Sequence, residues 1–221
     1  VTEARSAAGP RIIPLGDAAV TVAFADRLDG EARERVLALG RALDAIGTPG
    51  IVEVVAAPVA LTIHYSPADL DYSTLRAWIG RALALAPGAR SRETGRLVEI
   101  PVVYDGVDLA EVARATGLTA AEVVDLHAGR EYQVVLLGFV PGFGYLTELD
   151  PRLVLPRRPA PRPRVPAGSV AIAGQQTGIY PAATPGGWHL IGRTSLRMFD
   201  PDRHPAALLA VGDRVRFVAE R

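Results

Sequence analysis

Apolar positions along this chain fall mostly in short runs of period two, interrupted by two longer stretches of period three to four. Ala32, Val36, Leu39, Leu43 and Ile46 share one face of a helix predicted over residues 29–46, and Gly47, Pro49 and Gly50 stop it. Leu75, Ile79, Ala82 and Leu83 form the inward face of a second helix predicted over 69–86. Residues 11–15 and 19–25 read as strands around a Gly16-Asp17 turn. Residues 51–55 and 59–65 read as a hairpin. In its second strand Val59, Leu61, Ile63 and Tyr65 alternate with Ala60, Thr62 and His64. The order strand-strand-helix-strand-strand-helix predicts a small two-layer α+β domain.

Residues 1–10 should be a loose tail. Residues 86–96 are small and polar, and they divide the chain into expected domains 1–88 and 89–221. Period two returns at 97–104, where Val98, Ile100, Val102 and Tyr104 share a side. Asp108 is placed to cap a short helix that Gly117 ends. Thr119 and Glu122 have the spacing of a capping box for the next helix, which should end at Gly129. The continuous apolar run 131–139 suits a strand buried on both faces, and 214–219 a closing strand. Many short strands with few helices predict a β-barrel or a sandwich for this half.

Composition narrows the function classes. Hydrophobic content of 49% and charged content of 22% describe a globular chain. Zero net charge provides no global field for nucleic acid or an anionic membrane. No apolar run approaches the roughly 18 residues of a spanning helix, and no secretory signal is visible, so a cytoplasmic location is expected. The chain has no cysteine, which excludes disulfides, thiol nucleophiles and thiolate metal sites. It also has no lysine, all 24 basic residues being arginine. A phosphate loop ending in Gly-Lys-Ser/Thr and a Schiff-base lysine are therefore impossible. Any anion must be held by arginine forks and backbone N–H groups.

Four stretches carry candidate chemistry. In 137–146, Gly138, Gly142 and Gly144 surround Phe139, Pro141 and Phe143. This pattern fits a loop whose backbone approaches a ligand, or a tight barrel corner with packed phenylalanines. Arg157, Arg158, Arg162 and Arg164 alternate with prolines that stiffen the segment. It suits an anion clamp, a solvated surface or a protein contact. Gly168-Ser169 and the run Gly174–Gln175–Gln176–Thr177–Gly178 offer backbone, hydroxyl and amide donors for an oxyanion or phosphate cradle. Pro185–Gly186–Gly187–Trp188 delivers a large ring to a core or a ligand platform. Among the histidines, His64 lies on a polar strand face, and His189 and His204 have no evident partner. His127, at a helix end, either caps that helix or transfers protons. No paired-histidine or Gly-x-Ser-x-Gly spacing occurs, so no metal ligand and no serine nucleophile is nominated.

The stretches LGFVPGFGYL, PRRPAPR, VPAGSVAIAGQQTGIYP, TPGGWHLIGRT and VGDRVRF, in that order, resemble the KipI family. That family includes B subunits of bacterial 5-oxoprolinase (PxpB) and sequences labelled allophanate hydrolase subunit one. The resemblance covers nearly the whole chain and is strongest over 97–218. Gly144 and Ser195 depart from it, at turns where the family more often has proline or alanine, and proline, respectively. The resemblance implies a cyclophilin-like barrel after the small α+β domain. It implies a KipA/PxpC-type partner and a LamB/YcsF-type (PxpA) partner, and an assembly that hydrolyses 5-oxo-L-proline to L-glutamate with ATP. The ATP site is not assigned to this chain, which alone should be inactive. For that reaction His127, Arg162 and Arg193 are the expected catalytic residues. The expected substrate-binding residues are Phe139, Pro141, Gly142, Phe143, Arg157, Arg158, Gly168, Ser169, Gln175, Gln176, Thr177, Tyr180 and Trp188. Alternatives within the resemblance are an inhibitor of a sensor histidine kinase and a urea- or allophanate-processing component.

Overall fold

The computed structural model describes residues 9–26, 30–85 and 95–220. They belong to two units, Val1–Glu93 and Thr94–Arg221, each with its own core. The tail expected at 1–8 and most of the linker expected at 86–96 lie outside the described residues.

In the first unit, strands β1 (Arg11–Pro14), β2 (Ala19–Ala23), β3 (Ile51–Ala56) and β4 (Ala60–Tyr65) form an antiparallel sheet in the order β1-β2-β4-β3. Helices α1 (Gly30–Ile46) and α2 (Tyr72–Leu85) share one core with it. The inward side chains of β4, Leu61, Ile63 and Tyr65, meet Val36, Leu39 and Leu43 of α1 and Leu75, Ile79 and Ala82 of α2. Each of the Val, Leu and Ile side chains among them stabilises the fold by about 1.5–3 kcal/mol through burial. The second helix starts later than apolar spacing predicts. The Asp71 carboxylate caps it, accepting from the Thr74 N–H at 3.0 Å and the Thr74 hydroxyl at 2.7 Å.

The second unit is a closed barrel of β5 (Leu97–Val103), β6 (Glu131–Leu137), β7 (Gly144–Thr147), β9 (Ser169–Ala173), β10 (Gln176–Ile179), β12 (His189–Arg193) and β13 (Arg214–Glu220). The strand order is β10-β7-β6-β13-β5-β12-β9, and β13 and β5 are the parallel pair, Arg214 standing opposite Leu97. Closure removes both sheet edges, which a sandwich would leave. Strands β8 (Arg162–Val165) and β11 (Thr184–Gly186) form a separate ribbon.

Two short helices, α3 (Leu109–Thr116) and α4 (Ala120–Ala128), join β5 to β6. Gly117 ends α3 in the left-handed region at φ 71°. Thr119 and Glu122 make the capping box, with bonds of 3.2 and 2.7 Å. Side chains of all the barrel strands converge in one cluster that fills the barrel, and Val112, Ala113 and Val123 of the helices join it. Strand β6 is shorter than the apolar run suggests. It stops at Leu137, because Phe139 has φ 72°, which no strand accommodates.

Candidate functional site

Period-two alternation gives the barrel wall an outer face as well as an inner one. Val170 and Ile172 of β9 point into the barrel, whereas Ala171 and Ala173 join a second cluster with Phe143, Val165, Tyr180, Trp188 and Leu190. The loop before β7 supplies its centre. The Phe143 N–H donates to the Val140 carbonyl at 3.1 Å, with Pro141 and Gly142 (φ 82°) between them. That is a type II turn, with proline and glycine at the positions the geometry favours. A Cβ at Gly142 would lie 2.6 Å from Cβ of Phe199. The turn drives Phe143 inward, edge-on to Tyr145, Tyr180 and Trp188 at centroid distances of 4.8, 5.3 and 5.5 Å. Phe143 is thus the packed corner. Phe139 is the opposite, 58% exposed, its edge-on ring 6.5 Å from that of Tyr180. Its left-handed backbone costs on the order of 1–3 kcal/mol.

The proline-arginine segment runs beside this cluster. The Arg158 N–H donates to the Gly187 carbonyl at 2.8 Å. Both Arg158 and Arg162 turn to Asp108, donating to its Oδ1 from Nη1 at 3.1 Å and from Nη2 at 2.5 Å. Oδ2 accepts from the Leu190 N–H at 2.7 Å. Arg158 also reaches Glu111 at 2.8 Å. Asp108 is buried at 2% exposure and makes no side-chain cap bond to α3. The expected capping role is therefore corrected: position N-cap is right, but the carboxylate is spent on two arginines and a strand N–H. Sequence reading missed this hub. Its partners lie 50 to 82 residues away, and no local spacing marks them.

Two guanidinium donors and one imidazole nitrogen stay unspent here. Nε of Arg158 and Nη1 of Arg162 are buried without a partner, as is Nδ1 of His189, whose Nε2 donates to the Pro156 carbonyl at 2.9 Å. Arg157 is exposed, and among the described residues no carboxylate pairs with it. It lies within electrostatic reach of the Tyr180 phenol, as does Arg162. Burial pushes the Tyr180 phenol pKa up, while the Trp188 N–H that it accepts and these two arginines pull it back. A Cβ at Gly186 would lie 2.3 Å from the Tyr180 hydroxyl, so the ring sits where only glycine leaves room.

Other expected site residues are not brought here. His127 is completely buried inside the barrel, its ring 4.4 Å from that of Phe217. The Thr177 hydroxyl donates to the Ala171 carbonyl at 3.0 Å. It must therefore accept from Nε2–H of His127 at 2.8 Å, which leaves Nδ1 to accept from the Tyr104 hydroxyl at 2.7 Å. Burial lowers the His127 pKa to about 3, so the ring is neutral. With both nitrogens occupied and no exposed edge, His127 is a structural residue. Proton transfer and helix capping are both corrected, and Thr177 goes with it into the core.

Two backbone donors of the expected cradle are already used within the fold. The Gly168 N–H donates to the Tyr180 carbonyl at 2.7 Å and the Ser169 N–H to the Pro166 carbonyl at 3.3 Å. Gln175 is exposed and Gln176 half-buried at the β9–β10 turn. Trp188, at 5% exposure, is core of the outer cluster, and Pro141 is exposed at the turn tip. Arg193 sits at the far end of β12 from His189 and pairs with Asp105 at 2.8 Å, both exposed. An open depression of about 460 Å³ beside β13, lined by Glu99, Asp125, Arg216 and Val218 among others, contains none of these residues. No cluster among the described residues can hold a metal ion, and none of their helices is long and apolar enough to cross a membrane.

Residues 10–209 match the family model "carboxyltransferase domain, subdomain C and D". The chain is 40% identical to the 5-oxoprolinase B subunit of Bacillus subtilis (strain 168), with 94% of this chain and 92% of that protein covered. It is 42% identical to the 5-oxoprolinase B subunit of Escherichia coli O157:H7, with 94% of each covered. The chain belongs to the family of 5-oxoprolinase B subunits. By that naming it is a member of a hydrolase family and one component of a larger assembly. The crystal structure of TTHA0988 matches at 45% identity and a TM-score of 0.82, covering 92% of this chain and 40% of that one. The urea carboxylase of Kluyveromyces lactis matches at a TM-score of 0.71, covering 96% of this chain and 22% of that one. At 19% identity it shows a shared fold.

Proposed function

We propose that this chain is the B subunit of an ATP-dependent 5-oxoprolinase that hydrolyses 5-oxo-L-proline to L-glutamate. The observation that carries the reading is identity of 40–42% over 94% of the chain with two proteins named for that subunit. KipA/PxpC-type and LamB/YcsF-type (PxpA) subunits are the proposed partners, and the chain alone is inactive. The proposed barrel class is cyclophilin-like, and the two units are proposed to be separate domains. The location is proposed to be cytoplasmic.

The outer face of the barrel suits this substrate class. The lactam is a small ring bearing one carboxylate, and the face offers exposed aromatic surface beside arginines. The lactam amide is resonance-stabilised and unstrained, so coupling to ATP supplies the driving force for C–N cleavage. ATP is a co-substrate of the assembly, and nothing in this chain assigns its site. The kinship in fold with urea carboxylase supports no urea chemistry here, and no surface observation favours kinase inhibition.

The test is ATP-dependent glutamate formation from 5-oxo-L-proline by the co-expressed complex, with each subunit omitted in turn. Turnover is expected with all subunits and should vanish without this chain. An assembled, folded complex with no turnover would overturn the reading.

A further inference from the structure

The arginines of residues 157–164 divide into two kinds. Arg158 and Arg162 are consumed: each gives a guanidinium N–H to the buried Asp108, and Arg158 gives another to Glu111. Arg157 and Arg164 are exposed and, among the described residues, have no carboxylate partner. Arg157 directly precedes Arg158, whose N–H donates to the Gly187 carbonyl next to Trp188, so its backbone runs along the edge of the aromatic cluster. The ring of Phe139 packs on the same cluster, 5.6 Å from Phe143 and 6.5 Å from Tyr180, and is exposed to solvent. Phe139 is 58% exposed and held in the left-handed region, and strain of that kind concentrates at binding sites. The prolines around Arg157, and the anchoring of the adjacent Arg158 through both its backbone and its side chain, reduce the entropy lost when Arg157 engages an anion.

We propose that Arg157 binds the carboxylate of the lactam substrate, that Phe139 receives its ring, and that Asp108 is the positioning residue that holds the segment in place through Arg158 and Arg162. This rests on the 5-oxoprolinase reading and names where within it the substrate sits. The electrostatics agree. Two arginines sharing Asp108 and Glu111 are neutralised, which leaves Arg157, next to Arg158 at the edge of the aromatic cluster, as the charge placed to select an anion there. The planar fork of arginine fits a carboxylate with two parallel bonds, and lysine cannot replace it fully.

The experiment measures glutamate formation by the assembled complex across 5-oxo-L-proline and ATP concentrations. Arg157→Ala should raise KM for 5-oxo-L-proline by about 10- to 100-fold, the range for loss of a charged hydrogen-bonding partner. KM for ATP should not move. Arg157→Lys should recover part of the loss. Asp108→Asn should raise the same KM by a smaller factor, again without moving KM for ATP. Such a split would not follow from a merely structural defect, which lowers the amount of active complex and leaves both KM values alone. An Arg157→Ala complex with the wild-type KM for 5-oxo-L-proline would overturn the inference and leave the 5-oxoprolinase reading intact. Failure of Arg157→Ala to assemble, read by size-exclusion chromatography, would make Arg157 a subunit contact and overturn it equally. A wild-type complex without turnover would overturn the functional reading itself, and this inference with it.

Discussion

Two polar clusters sit on opposite faces of one barrel wall, and they are built on opposite rules. Inside, Tyr104, His127, Thr177 and the Ala171 carbonyl form a chain in which each hydroxyl and ring nitrogen has a partner. Outside, Asp108 gathers two arginines, yet Arg158 Nε, Arg162 Nη1 and His189 Nδ1 are left without one. A closed network in a low-dielectric interior fixes one arrangement and offers nothing to a ligand. A cluster with unspent donors beside an exposed arginine and an exposed aromatic ring is the opposite case, and it is where the substrate is proposed to bind. The expected catalytic histidine and its threonine partner thus lie in the closed interior network, while Asp108, expected only as a helix cap, holds the outer cluster together.

The largest effect should come from the outer hub. Asp108→Ala removes an acceptor shared by two guanidinium groups and the Leu190 N–H. Breaking a buried pair of this kind costs about 3–5 kcal/mol, and the arginines' quarter exposure places the expectation at the low end. Urea unfolding of the purified chain reads it. A loss below about 1 kcal/mol would show that Asp108 does not hold this face together.

The inner network should answer to acid instead. The folded-state pKa of His127 is depressed to about 3 from an ordinary 6.5. The stability it confers is therefore complete above about pH 6.5 and declines as pH falls toward 3, by about 1.4 kcal/mol per pH unit. Unfolding free energies at pH 7, 6 and 5 should show that slope. His127→Gln should flatten it, and an unchanged slope in that variant would mean that other groups carry the acid response.

A smaller change should separate network from volume. Thr177→Val keeps the shape but leaves Nε2–H of His127 without an acceptor. The expected cost is about 1–3 kcal/mol, with little change in KM for 5-oxo-L-proline in the assembled complex. A large KM change with normal stability would return Thr177 to the binding site.

Local rules wrote much of this fold into the chain. Period two set β4 and β5, period three to four set α1, and the Thr119–Glu122 pair started α4, because each depends on hydrogen bonds between near neighbours. Pro141-Gly142 specified its turn for the same reason. The absence of lysine and cysteine settled by itself that arginine must carry any anion chemistry. What the chain could not show locally was which arginine is free. Arg157 and Arg158 are neighbours with the same side chain, yet one reaches Asp108, 50 residues back, and the other does not. His127 met Thr177 across the same separation, and Asp108 met Leu190 across 82 residues. Those pairings arise when the barrel closes and brings distant strands and helices together, and a partner brought by closure leaves no periodic trace along the chain. Sequence alone therefore determined the elements and the kind of chemistry, while tertiary structure decided which side chains were consumed in building the protein and which remained to act.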